Sequence, residues 1–165
     1  MTMRRLDVLI FDIDGVLVDV SESYRDAVRR TAQLYLQAVI GLPPCDGELV
    51  SRADVAAFKL AGGFNNDWDL TTGLLRYFVA MLDAQPTPRA TTETSTEIIA
   101  FLRQAGRQIH TTVESLRERK NIRAFAAQVR AAGGGLAAVR QILGARNDHL
   151  IFADGEVRGA NLVKR

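Results

Sequence analysis

The chain has 165 residues, of which 47% are hydrophobic and 24% charged, with a formal net charge of +2. That balance excludes a disordered, collagen-like or low-complexity chain. The length predicts one domain with a real core, since a chain of this size buries roughly 68–70% of its unfolded surface. Its longest apolar runs, such as residues 78–82, are too short to cross a bilayer. Asp7, Asp12 and Asp14 interrupt what would otherwise follow Arg4 and Arg5 as a signal sequence. Cys45 is the single cysteine, so no disulfide closes within the chain. A cytoplasmic setting without a membrane partner is expected. Charge is unevenly spread, net −4 over residues 1–83 and net +6 over 84–165. Because the arginines are not interleaved with aromatics, they read as solvated helix faces and no nucleic-acid partner is expected.

Residues 6–11 (LDVLIF) predict a buried strand that ends in the turn-forming Asp-Ile-Asp-Gly. Tyr24, Ala27, Val28, Thr31, Leu34, Tyr35, Ala38 and Val39 then repeat at helical spacing, and Gly41 with Pro43 and Pro44 predicts the helix end. Ser51 is placed to cap a helix to about residue 61, stopped by Gly62 and Gly63. A polar loop over 64–69 leads to a helix over about 70–84, with Trp68 expected in the core. The Pro-bearing segment 85–88 reads as a linker. Helices are predicted over about 95–105, 111–132 and 136–143, with Lys120 on a solvated face of the second. A brief extended piece is expected at 150–152. Gly133-Gly134-Gly135-Leu136-Ala137-Ala138 matches G-x-G-x-x-A, yet it follows a helix rather than a strand and so reads as a helix stop. His110 and His149 lack metal-ligand spacing.

The segment with the strongest chemical signal is residues 11–19, FDIDGVLVD, directly after the predicted strand. Asp12 and Asp14 leave the strand end close together, and two like charges there call for a cation or a shared proton. A hard divalent cation such as Mg²⁺ suits oxygen ligands beside a phosphate. One carboxylate could attack phosphorus and the other pass a proton. An Asp-Gly turn with solvated acids would use the same residues.

Residues 10–28, IFDIDGVLVDVSESYRDAV, resemble motif I of the haloacid dehalogenase (HAD) superfamily and the helix that opens an inserted cap, as in its subfamily of small phosphatases and phosphomutases. Residues 61–70, AGGFNNDWDL, resemble a cap segment of the same subfamily. The resemblance implies an α/β fold: the N-terminal part of a HAD-like Rossmannoid core over 1–19, and a mostly helical cap over 20–160, leaving the covered chain predominantly α. It implies a Mg²⁺-dependent phosphate-monoester hydrolase working through an aspartyl-phosphate. Asp12 would be nucleophile and metal ligand, and Asp14 general acid/base and metal ligand. Ile13, Asp14 and Gly15 would hold the phosphoryl group. Lys59, Asn65, Asn66 and Asp67 would meet a small phosphorylated metabolite from the cap. The phosphate-binding Ser/Thr, the Lys and the distal acid pair of that family have no counterparts here, so the rest of the core is expected to be missing and this stretch alone inactive. The alternative reading is a non-catalytic helical binding module that keeps a metal-binding DxDG loop.

Overall fold

The computed structural model describes residues 21–64, 66–87 and 94–152. Within them the chain is predominantly helical and no strand occurs. The predicted strand over 6–11 and the acid pair that follows it lie outside these residues.

Helix α1 (Ser21–Leu34) carries an amphipathic face and widens into a π-helical segment, Tyr35–Ile40. The wider turn brings Tyr35, Leu36 and Ile40 into the core together. The helix ends where expected, at Gly41, whose φ of +90° needs a residue without a Cβ. α2 (Arg52–Lys59) begins with a capping box: the Ser51 hydroxyl accepts from the Asp54 amide at 3.1 Å, and the Ser51 amide donates back to the Asp54 carboxylate at 2.9 Å. α3 (Asp67–Val79) starts earlier than its apolar pattern predicts, because Asn66 caps it by accepting from the Asp69 amide at 2.8 Å. α4 (Ser95–Gly106) packs on the π-helical segment.

The single helix predicted over 111–132 is two helices, α5 (Val113–Arg119) and α6 (Ile122–Ala131). Lys120 is extended between them, and Asn121 caps the second by accepting from the Ala124 amide. The break has a tertiary cause. The Lys120 ammonium donates to the Leu49 carbonyl at 2.8 Å and pairs with Asp54, and both side chains are 18% exposed. This corrects the expectation of a solvated Lys120.

α7 (Gly135–Leu143) packs against α3 and α6. The glycines before it serve backbone contact. The Gly135 amide donates to the Gly62 carbonyl at 2.8 Å, and a Cβ on Gly134 would sit 2.7 Å from that same oxygen. Gly62-Gly63 and Gly133-Gly134-Gly135 therefore lock two helix ends together.

One core gathers side chains from all seven α-helices, with Phe58, Leu70, Leu74, Leu75, Phe78 and Val139 fully buried. Phe58 stacks on Phe125 at 5.8 Å and 12°, which fixes α2 on α6. Of the extended piece expected at 150–152, Leu150 instead closes a 3₁₀ turn, Asp148–Leu150, while Ile151 is extended, and Ile151 and Phe152 are buried. The Tyr35 hydroxyl holds it there, donating to the Leu150 carbonyl at 2.9 Å and accepting from the Phe152 amide at 3.3 Å. Tyr35→Phe leaves both backbone groups buried without that partner. We expect a loss of about 1–3 kcal/mol, the net worth of the two hydrogen bonds removed, at about 0.5–1.5 kcal/mol each, measured by urea denaturation. An unchanged midpoint would show that the turn holds itself.

Candidate functional site

A cleft of about 430 Å³ opens between the first half of α1, the last turn of α2 and the first turn of α3. Four α1 residues at i, i+3, i+4 and i+7 form one wall: Tyr24, Ala27, Val28 and Thr31. Opposite them stand Asp67, Trp68 and Thr71 of α3, with the cap Asn66. Lys59 reaches in from the end of α2.

The electrostatics centre on Lys59. Its ammonium lies 4.4 Å from the Tyr24 ring centroid and 3.4 Å from Oδ1 of Asp67. The side chains of Lys59 and Asp67 are 41% and 42% exposed, so water screens the pair and it contributes about 0–1 kcal/mol. The positive end of the α3 macrodipole is offset by Asp67 and Asp69 in its first turn. Asn66 is committed at its carbonyl to the Asp69 amide, and its NH₂ donates to the Asp69 carboxylate at 3.1 Å. The Thr71 hydroxyl donates to the Asp67 carbonyl at 2.6 Å. Trp68 is 45% exposed on the rim, which corrects its expected place in the core. The reason is position along the helix: α3 starts at Asp67, so Trp68 sits in its first turn, ahead of the continuously buried stretch 70–76.

The structure thus brings together Lys59, Asn66 and Asp67 of the sequence-predicted contacts. Asn65 lies outside the described residues, as do Asp12, Ile13, Asp14 and Gly15 with the Mg²⁺ expected on them. Among the described residues no group of three or more His, Cys, Asp or Glu side chains is placed to hold a metal ion. Tyr24, Thr31 and Thr71 escaped the sequence reading as site residues. The sequence marks Tyr24 and Thr31 only as two polar residues within an apolar helical stripe, which periodicity assigns to the core, and Thr71 carries no signal. No helix among the described residues is long and apolar enough to cross a membrane.

No family model matches the chain, and no solved structure matches it. The chain is similar to an imidazoleglycerol-phosphate dehydratase of Phytophthora nicotianae, 36% identical over 87 residues. That alignment takes in 53% of the chain and spans only 17% of the relative's length. The relative's name is that of a dehydratase and not of a HAD hydrolase. It overturns the expectation of a HAD-type, Mg²⁺-dependent phosphatase with Asp12 as nucleophile, and the described helices give no evidence of an α/β HAD core. The alternative of a non-catalytic module with a metal-binding loop gains no support from it either.

Proposed function

We propose that these helices form a ligand-binding part of an enzyme, and that the cleft between α1, α2 and α3 takes a small phosphorylated molecule. The observation that carries the reading is the Lys59 ammonium, held inside the cleft by partners that are easily exchanged. Its contact with the Tyr24 ring is worth about 0.5–1 kcal/mol at an exposed site, and its pair with Asp67 about as much. A charge-assisted hydrogen bond to phosphate is roughly twice as strong as a neutral one, so a phosphate competes well for this cation. Tyr24 and Trp68 offer flat apolar surfaces for the unphosphorylated end of the ligand, while the Thr31 hydroxyl offers a polar contact beside it. The relative's name supports the ligand class, since it contains a phosphorylated molecule bearing an imidazole ring. The dehydration in that name is not carried over, because the alignment spans 17% of that protein.

Trp68 is the sole tryptophan, so its fluorescence reports on the cleft alone. Titration with imidazoleglycerol phosphate or glycerol phosphate is expected to give a saturable change with a Kd below about 1 mM, corresponding to roughly 4 kcal/mol. Lys59→Ala is expected to weaken binding about tenfold or more. It should leave the melting midpoint nearly in place, because an exposed pair contributes about 0–1 kcal/mol. A Trp68 signal indifferent to both phosphates, or identical in the variant, would remove the reading.

A further inference from the structure

A second concavity, of about 240 Å³, runs between α2 and α6 on a face that the cleft does not use. Ala57 and Ala61 form one side and Ala126 and Ala127 the other. Leu60 stands at its edge, 72% exposed, the most exposed of the large hydrophobic side chains among the described residues. Arg123 and Arg130 flank it, both exposed, and neither pairs with an acid among the described residues. They are seven residues apart on one helix, so they share a face at a separation of about 10.5 Å. The surrounding sequence sharpens the charge. Residues 119–147 hold five arginines and one lysine and not a single Asp or Glu. Lys120 is held by Asp54, which leaves Arg123 and Arg130 as the cations that line this groove.

We infer that this groove docks an acidic amphipathic helix of a partner protein. Small residues along the floor let two helix backbones approach to roughly 8–10 Å. Leu60 supplies an apolar knob, and the two arginines fit carboxylates placed seven residues apart on the incoming helix. Arginine is also the cation that best pairs with carboxylate in a partly desolvated setting. The floor has no aromatic side chain on which a nucleic-acid base would stack. A single exposed leucine is too little apolar surface to seat the face in a lipid interface. Beneath the floor, the Phe58–Phe125 stack fixes α2 against α6, so the groove is preformed.

The test uses a fluorescein-labelled amphipathic peptide with glutamates seven residues apart beside a leucine-alanine stripe, and the same peptide with lysines in their place. Fluorescence anisotropy is expected to show saturable binding of the glutamate peptide only. The double variant Arg123→Glu with Arg130→Glu should bind it at least tenfold more weakly and acquire binding of the lysine peptide, a reversal that mere damage to the fold cannot produce. Leu60→Ala should weaken the glutamate peptide several-fold with unchanged helical circular dichroism. No binding by the wild type, equal binding by the double variant, or tighter arginine-dependent binding to duplex DNA or to phosphatidylserine vesicles would each overturn the inference.

Discussion

Gly106→Ala is expected to destabilise the fold by about 2 kcal/mol or more, although intrinsic helix propensity argues the other way by up to ~1 kcal/mol. Gly106 closes α4 and is buried against the end of the π-helical segment. A Cβ added there would fall within the radius of the Ile40 carbonyl oxygen. That obstacle is backbone and cannot swing aside as a flexible side chain would. The Ile40 carbonyl cannot retreat cheaply either, since Ile40 is itself fully buried among Ile98 and Leu102. Overpacking of this kind typically costs about 1–3 kcal/mol and more where backbone must shift. The steric term therefore exceeds the propensity gain. In a chain of this length the loss corresponds to a fall in melting temperature of roughly 4–8 °C. Urea denaturation followed by circular dichroism decides the point: a midpoint equal to or above that of the wild type would mean that α4 can slide away from the π-helical segment at little cost.

The local devices of the fold were legible where one residue type does one job. Ser51 ahead of a helical stretch marks a cap, and Gly41 ahead of two prolines marks a helix end, both in the places read from sequence. The break at Lys120 was not legible, because the apolar pattern runs through it without a Gly or Pro. Its cause sits 66 residues earlier at Asp54, and no local pattern encodes such a pairing. The same limit explains Trp68. Its size argues for burial, but burial depends on where α3 starts, and that is fixed by the side chain of Asn66. The cleft was half legible. Lys59, Asn66 and Asp67 stand out as polar groups near a glycine pair, while Tyr24 and Thr31 are indistinguishable in sequence from core positions of an amphipathic helix. The glycines of 133–135 carried a second lesson. Their spacing matches a nucleotide-binding pattern, yet their backbone is spent on Gly62 and Gly63.

The other large effect is expected at Lys120. Replacing it with methionine keeps the stem and its packing but leaves Asp54 with no cation and the Leu49 carbonyl without its 2.8 Å donor. Breaking a fully buried pair from one side costs about 3–5 kcal/mol. Here both side chains keep 18% exposure, and Ser51 still bonds the carboxylate, so water and the cap recover part of that. A loss of about 2 kcal/mol is expected at neutral pH. The pH dependence separates the ion pair from the packing. Burial works to raise the Asp54 carboxyl, but the bonds from Lys120 and from the amide and side chain of Ser51 outweigh it and hold Asp54 below its usual range. A carboxyl depressed in the folded state contributes stability that is present above its unfolded value near 3.9 and is lost as the pH falls through its folded value. Wild type and Lys120→Met should therefore differ by about 2 kcal/mol at pH 7 and converge as the pH drops below roughly 4. Thermal melts of both proteins across that range measure the gap. The variant Asp54→Asn should show the matching loss, and adding Lys120→Met to it should cost less than the two single losses combined. A gap that stays constant into acid would show that Lys120 acts through the Leu49 carbonyl and its own packing, and that its charge does not hold α5 and α6 apart.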